Sequence, residues 1–379
     1  MKLFDITHFY ACESGGVKTY LDKKHQYLLE NSDTEHVMLL PSDKDKVENG
    51  KKYFIKSPLI PFWKPYRLLI EKRKILHIIE AEQPDIVEVG SPYLLPKWIC
   101  KHSKKHGYKT VGFFHANVEE SIKSILKSNS KQISHLIRRY IRREYKDFDI
   151  VIAPSQYMKS YLKGIGIENT YTVYLGTDTE NFSPDRKDPD FRKKYNIPEN
   201  KTLLIYTGRL SSDKNIFELV QIFKKLDSMF PEKYHLIIAG SGPDEEKLKE
   251  ELQENTTFLG YIKDRNKLST IYSSCDIFIT PSKAETFGLA IIEAQAAGLP
   301  VVAFNTASLP EVAVNPNLLA EDVTEFIRNI IHAEKLLKTP YRYFISNTIK
   351  EKFSWNKTFQ NLLEVYNNVL RNSKKPAFI

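Results

Sequence analysis

The chain has 379 residues, 41% hydrophobic and 27% charged, which is ordinary globular composition and excludes disordered and collagen-like classes. That length suggests two or three domains, and no apolar run approaches the roughly 18 residues that a membrane-spanning helix needs. Lys and Arg outnumber Asp and Glu by 56 to 47. All of the excess lies in residues 1–170, with 29 basic against 20 acidic residues, whereas 171–379 hold 27 of each.

In chain order, the opening MKLFDITHFY carries Asp5 and no sustained apolar stretch, so no cleaved signal peptide is expected. Cys12, Cys100 and Cys275 are far apart and lack metal-ligand spacing, which makes a reducing cytosol the expected compartment. Apolar runs at 3–7, 36–40, 85–89, 110–114 and 149–153 predict strands, separated by helices over 17–31, 67–82, 94–106 and 118–147. A second series at 202–208, 235–240, 256–261, 276–282 and 300–305 predicts further strands. They alternate with helices over 215–229, 244–254, 265–274, 288–297 and 321–337. Short Val/Ile-rich runs are how strands buried on both faces of a parallel sheet read. The pattern is α/β: two Rossmann-like doubly wound domains facing across a cleft, with ligands expected at the carboxyl ends of the strands. A polar stretch near 175–200, interrupted by Gly176, Pro184, Pro189 and Pro198, is the expected linker.

Loops after these strands carry the candidate chemistry. After the first, Glu13-Ser14-Gly15-Gly16-Val17 sets a glycine pair before a helix, suited to close backbone approach by a phosphate or sugar, and also to a plain turn. Phe113-Phe114-His115-Ala116-Asn117 ends another strand of the first half. His115 there could move a proton, hold a substrate hydroxyl, or be structural. Thr207-Gly208-Arg209-Leu210-Ser211-Ser212-Asp213-Lys214-Asn215 follows a strand and opens a helix capped by Asp213 or Asn215. Arg209 and Lys214 beside that helix start would cradle a diphosphate. Gly240 and Gly242 after the next strand either shape a nucleotide pocket or make a turn. Glu285-Thr286-Phe287-Gly288-Leu289 leads into a helix bearing Glu293. The two carboxylates could each grip a polyol, with free N–H groups in the first helical turn after Gly288. The bland reading makes Glu285 a cap and Glu293 a solvated residue, but Ile291, Ile292 and Ala294 around Glu293 favour partial burial with a partner.

Two segments bear on partners. Residues 51–74 hold eight basic residues and one acid, Glu71, with Phe54, Phe62, Trp63 and Tyr66 among them, a composition suited to an anionic lipid surface. Near 133–143, Ile133, Leu136, Ile137, Tyr140 and Ile141 form a stripe, with Arg138, Arg139, Arg142 and Arg143 elsewhere. A core-facing stripe with a solvated basic face is the simpler account. No nucleic-acid recognition motif accompanies the charges.

Taken together, these motifs resemble the retaining glycosyltransferases of family 4 (group 1), which have the GT-B fold. The resemblance rests on Glu285 to Glu293, Thr207-Gly208-Arg209-Leu210 to Lys214-Asn215, Ala153-Pro154-Ser155, Gly176-Thr177-Asp178-Thr179 to Phe182-Ser183-Pro184, Gly15-Gly16-Val17 and Phe353-Ser354-Trp355. It implies an acceptor domain over 1–175, a nucleotide-sugar domain over 176–355, and a helix over 356–379 crossing back to the first domain. It further implies Arg209 and Lys214 on the donor diphosphate, Glu285 with the backbone of 287–289 on the transferred sugar, and Glu293 on the ribose. Gly16 would lie near the donor phosphate or acceptor and His115 near the reacting sugar. Members usually work without a metal, in keeping with a sequence that shows no Asp/His metal cluster. The implied substrates are a GDP- or UDP-linked hexose and a lipid-linked or envelope-glycan acceptor, with no cofactor and no nucleic acid. The implied location is cytoplasmic, peripheral at the membrane face. A nucleotide-sugar epimerase or sugar phosphorylase on the same fold, or a non-catalytic basic adaptor, are the alternatives. The stretch Asn305-Thr306-Ala307-Ser308-Leu309-Pro310-Glu311 departs from the family, which has a glycine-rich turn there, as does Asn317-Leu318-Leu319-Ala320.

Overall fold

The structure, a computed structural model, describes residues 1–11, 15–60, 65–115, 117–126, 130–337 and 340–372. Cys12, Glu13, Ser14, Phe62, Trp63 and Ala116 lie outside them. The chain divides into two compact units: unit 1 comprises Met1–Leu175 with Trp355–Ile379, and unit 2 comprises Gly176–Ser354. No helix among the described residues is long and apolar enough to cross a membrane.

Unit 1 runs β1 (Lys2–Ile6), α1 (Gly16–Asn31), β2 (Glu35–Ser42), β3 (Lys46–Glu48), β4 (Lys52–Lys56), α2 (Lys72–Glu82), β5 (Ile86–Val89), α3 (Leu95–His106), β6 (Lys109–Phe113), α4 (Val118–Leu126), α5 (Lys131–Tyr145), β7 (Ile150–Ala153), α6 (Gln156–Gly164) and β8 (Thr170–Thr172). Its sheet has the order β3-β4-β2-β1-β5-β6-β7-β8, parallel throughout except for β3 against β4. Local chemistry sets the ends. α3 starts with Pro96 in its first turn and stops at Gly107, whose φ of +80° suits glycine. Ser155 caps α6 by accepting from the Met158 N–H.

Unit 2 runs α7 (Phe191–Lys194), β9 (Thr202–Thr207), α8 (Ile216–Met229), β10 (Tyr234–Ala239), α9 (Glu245–Glu251), β11 (Thr256–Gly260), α10 (Arg265–Ser274), β12 (Ile277–Thr280), α11 (Leu289–Ala296), β13 (Val301–Phe304), α12 (Leu309–Val312), β14 (Leu319–Ala320), α13 (Val323–Leu336) and α14 (Tyr341–Lys352). Its six strands are all parallel in the order β11-β10-β9-β12-β13-β14. The last helix, α15 (Trp355–Asn372), belongs to unit 1, where it packs on α1. Thr177 donates its N–H to the Phe353 carbonyl at 2.8 Å, so the chain enters and leaves unit 2 at one place.

Four expectations need correction. Residues 176–200 are not a free linker: Phe182, Phe191 and Ile197 are buried in unit 2, and Ser273 Oγ donates to the Ser183 carbonyl at 2.7 Å. The second helix begins at Lys72 rather than 67, because the chain before it is held extended: Leu59 and Arg67 form an antiparallel bridge and the Leu68 N–H goes to the Pro58 carbonyl at 2.9 Å. The expected helix over 118–147 is two, α4 and α5, packed on each other. On α5 the stripe is narrower than expected. Ile133, Ile137, Tyr140 and Ile141 meet the core, but Leu136 points out at 64% exposure.

Candidate functional site

In unit 2, strand order reverses between β9 and β12, and a doubly wound sheet binds ligands beyond the carboxyl ends of its strands at such a switch point. The loops after both strands hold the expected residues. Lys214, just before α8, donates to Glu285 Oε1 at 2.7 Å, although the two are 71 residues apart. Burial alone would raise the Glu285 pKa. The Lys214 ammonium and its hydrogen bond outweigh that and hold the carboxyl ionised, below its usual range. Arg209 sits on the same loop, 52% exposed, with Nη2 2.6 Å from Asp213 Oδ2. Asp213 also accepts from Ser211 Oγ at 2.5 Å, so its expected cap role is not realised. Asn215 occupies the cap position in a left-handed conformation, without a side-chain cap bond.

The glycines here have packing reasons. At Gly208, φ is +157°, and a Cβ would lie 2.8 Å from the Tyr206 hydroxyl. Tyr206 in turn donates to the Arg209 carbonyl at 3.1 Å, which aims the loop. A Cβ on Gly240 or Gly242 would lie about 2 Å from the carbonyl of Gly208 or Leu210, at 1.9 and 2.1 Å respectively. The loops after β9 and β10 are zipped backbone to backbone, and both glycines are needed for that alone. They wall the Arg209 loop whatever binds there.

Gly288 precedes α11 with φ +95° and has no side chain to cap the helix. The Glu285 carboxylate is engaged by Lys214. Phe287 is buried against Phe353, ring centroids 5.7 Å apart, so only its backbone can serve a ligand. Leu289 starts the helix beside it. Glu293 is not solvated: it is 6% exposed and accepts from Arg265 Nη2 at 2.6 Å, while Arg265 lies over the Phe182 ring. Arg265 was not singled out in the sequence; its place directly after the Asp264 cap was the available signal, blurred by Lys263 and Lys267 on either side. The atypical stretch joins the site through Ser308, whose hydroxyl donates to the Glu285 carbonyl at 2.9 Å. Ala307 beside it takes φ +53°, the left-handed region that favours glycine, within the stretch where a glycine-rich turn was the expectation.

Unit 1 brings His115 to the end of β6, stacked on Phe113 with centroids 3.9 Å apart and edge-on to Tyr20. Burial, reinforced by the Lys24 ammonium, holds its pKa down at about 3, so it is a neutral hydrogen-bonding ring at any ordinary pH. Asn117 Oδ1 accepts from the Glu120 N–H at 3.2 Å, a helix cap for α4. Gly15 is exposed at the start of α1, where a Cβ would meet nothing within 4 Å, and Gly16 follows as the first helical residue.

A buried charge cluster in unit 1 escaped the sequence reading. Lys24 Nζ reaches Asp5 Oδ1 and Glu88 Oε1 at 3.0 Å and the Tyr366 hydroxyl of α15 at 2.7 Å. Tyr20 donates to Glu88 at 3.0 Å, and His36 Nε2 lies 2.8 Å from Asp5 Oδ2. Lys24 falls among the buried Tyr20, Leu21 and Leu28 of α1, and a lysine on an apolar face was the available signal. Folding also assembles a set absent from the sequence reading: Glu80, His102 and His106, with ligand atoms all within 4.8 Å of one another.

Comparison with known proteins completes the assignment. Residues 14–181 match the family described as Glycosyltransferase Family 4, and 187–351 match Glycosyl transferases group 1. The chain is 26% identical over 306 residues to the GDP-mannose-dependent alpha-(1-6)-phosphatidylinositol dimannoside mannosyltransferase of Mycobacterium tuberculosis, covering 78% of this chain and 77% of that one. It is 26% identical to the alpha-monoglucosyldiacylglycerol synthase of Streptococcus pneumoniae, covering 78% and 69%. In fold it matches sucrose-phosphate synthase from Thermosynechococcus elongatus at a TM-score of 0.78 and 18% identity, over 98% of this chain and all of the other. Two parallel doubly wound units, paired charges at the β9/β12 switch point and two family matches spanning nearly the whole chain lead to one conclusion: this chain belongs to the group 1 glycosyltransferases of the GT-B fold.

Proposed function

We propose that this chain transfers a hexose, with retention, from a nucleoside-diphosphate sugar to a lipid-linked or envelope-glycan hydroxyl. The observation that carries the reading is the Lys214–Glu285 pair at 2.7 Å, with Arg209 half exposed beside it. A diphosphate leaving group develops charge as the glycosidic bond breaks, and preorganised cations stabilise that charge where it forms. Arg209 and Lys214 take the diphosphate, exchanging their bonds to Asp213 and Glu285 for bonds to phosphate oxygens. Glu285, released from Lys214, and the N–H groups of Phe287, Gly288 and Leu289 hold the sugar hydroxyls. Glu293, steadied by Arg265, holds the ribose, and Gly240 and Gly242 wall the nucleotide. Within unit 1, Gly15 and Gly16 at the start of α1 offer backbone to a phosphate or the acceptor, and neutral His115, on the loop after β6 that also carries Asn117, bonds a sugar hydroxyl rather than carrying charge.

In the step itself, the bond from C1 to the phosphate oxygen breaks and the acceptor oxygen bonds C1 on the same face. The hydroxyl proton passes to the departing phosphate. The two cations serve the leaving group without a donor-site metal, so a chelator leaves turnover unchanged. GDP-mannose and UDP-hexoses are the donors to try, the first because the mycobacterial relative is named for it. Lipid acceptors are supported by both relatives' names. Peripheral attachment to an anionic membrane is supported by the charge excess of residues 1–170 and by α5, where Arg139, Arg142 and Leu136 are exposed. Within 51–74 the support is thinner, since Lys51 and Lys74 are already paired with Glu35 and Asp45.

The test incubates the chain with each donor and glycolipid vesicles and reads the product anomer by NMR. Transfer with an unchanged anomer is expected. Inversion, donor conversion without acceptor, or dependence on free phosphate would each replace the reading. Failure of anionic vesicles to retain the chain at low salt removes the membrane part alone.

A further inference from the structure

His8 is a buried ring that the transfer chemistry leaves unused, and it ties three pieces of unit 1 together. It follows β1, its Nδ1 lies 3.1 Å from the Leu69 backbone nitrogen, and its Nε2 lies 2.9 Å from the Tyr93 carbonyl. A backbone N–H only donates and a carbonyl only accepts. One form of the ring therefore satisfies both bonds: Nδ1 bare, Nε2 carrying the proton, no net charge. A proton on Nδ1 would face the Leu69 N–H directly. Burial opposes that proton, since the side chain is fully enclosed and its pKa is held down at about 4.

The loop after β5, residues 90–94, lies at the carboxyl edge of the sheet and has its carbonyls taken in turn. Thr7 Oγ1 donates to Gly90 at 3.1 Å, the Tyr140 hydroxyl to Pro92 at 3.1 Å, and His8 to Tyr93. The loop closes in a tight turn. The Leu95 N–H also reaches the Tyr93 carbonyl, at 2.5 Å, and Leu94 between them takes φ +56° and ψ −51°. A leucine held there is strained, and such strain persists where the surroundings over-determine it, most often beside functional groups. At the other end of the loop, the His115 ring stands over Gly90, where a Cβ would lie 3.4 Å from its Cδ2 and Nε2. One short loop thus runs from beneath His115 to the carbonyl that His8 holds.

We propose that His8 is a positioning residue for glycosyl transfer. By fixing the Tyr93 carbonyl it sets the loop on which the His115 ring rests, and so aims His115 without touching substrate. The bond to Leu69 fixes His8 itself, by holding the ring in the form that donates from Nε2. The assignment rests on the reading above, in which His115 bonds a hydroxyl of the reacting sugar.

The test separates the two bonds of the ring. His8→Phe keeps the bulk and loses both. His8→Gln carries a carboxamide N–H out to where Nε2 stands, whereas His8→Asn offers an oxygen near Nδ1 and falls short of Tyr93. The full-length variants are assayed with donor and glycolipid vesicles, their folding is checked by urea unfolding, and GDP and UDP binding is titrated separately. His8→Phe and His8→Asn should lose about 10²-fold in kcat, the scale of a small misplacement at the reacting centre. His8→Gln should stay within about fivefold of the parent, and all three should bind the free nucleotide as the parent does. Nitrogen NMR of the parent should show Nε2 of His8 protonated and Nδ1 bare at neutral pH. The proposal is overturned if His8→Phe keeps kcat within about threefold, if His8→Gln and His8→Asn fall equally, or if the proton sits on Nδ1. Should His8→Phe fail to fold, the comparison of Gln with Asn decides. A parent that transfers nothing would sink the functional reading itself, whereas an active parent with equally active variants sinks this assignment alone.

Discussion

The two units build similar sheets and place their charges in opposite ways. In unit 1 the ionisable groups lie along the central strands: Asp5 on β1 and Glu88 on β5 face Lys24, sealed by Tyr20 and by Tyr366 of α15. In unit 2 the matching strands are apolar, with Leu203, Leu204, Ile205, Ile277, Phe278 and Ile279 buried, and the charges gather in the loops beyond them. A sealed cluster has its partners already and cannot receive a ligand, so it holds the last helix to its unit. Half-open pairs such as Arg209 with Asp213 can be taken over by a stronger anion. The same residue types thus make scaffold in one unit and site in the other.

Replacing Lys24 with Met tests the scaffold half and has the largest expected effect. It leaves two carboxylates facing each other without a cation, and unfolding in urea should show a loss of about 3–5 kcal/mol. Hydrogen exchange should rise first in α15. A loss below about 1 kcal/mol would mean that apolar packing, not the charge cluster, retains that helix.

Arg209→Ala tests the site half. Turnover should fall about 10²–10³-fold, the scale of removing one electrostatic stabiliser. Stability should move by no more than about 0.5 kcal/mol, as for other exposed substitutions. Near-normal transfer by this variant would end the donor assignment.

Acid sharpens the comparison further. Burial holds His8, His25 and His235 down to about 4 and His115 to about 3, and also lowers His36. A histidine depressed in the folded state contributes stability in full above its unfolded value, about 6.5, and loses it as pH falls from there toward the folded value. Four of these five rings belong to unit 1, so unit 1 should give way first between about pH 6.5 and 4. All three tryptophans, Trp63, Trp98 and Trp355, lie in unit 1. Tryptophan fluorescence should therefore change with the first step of a two-step loss of far-ultraviolet circular dichroism. Coincident transitions would show that the units unfold together.

The smallest effect concerns Ala307. A left-handed alanine is strained by about 1–2 kcal/mol, and glycine relieves this at an entropic penalty of up to about 1 kcal/mol. Ala307→Gly should raise Tm by at most a few degrees. A fall would show that the methyl group is packed.

The fold was legible because its signals are local. Runs such as 202–208 and 276–282 read as buried strands whatever they pair with, and Gly208 marks a turn from its own backbone. The same locality explains the errors. The helix expected from 67 was apolar enough, but residues 66–68 pair with 58–60 instead, a contact that the local pattern does not show. Leu136 fitted the α5 stripe by spacing, yet it lies at the margin of the arc that Ile133, Ile137, Tyr140 and Ile141 turn to the core and is left outside. At the candidate site, Arg209, Lys214, Glu285 and Glu293 could be named from loop position and residue type. Their partners could not: Asp213 reads as a cap by its position, and nothing local ties Arg265 to Glu293.

By itself, then, the sequence determined the alternation of strands and helices, the two-unit plan and the residue types in the loops after β9 and β12, since each depends on neighbours a few positions away. Tertiary structure alone decided which charges meet. Lys24 finds Tyr366 across 342 residues, Lys214 finds Glu285 across 71, and Glu80 finds two histidines on the next helix. The reason is physical: strand order, not chain order, sets which loops adjoin, and a charge in a protein is defined by the groups beside it in space.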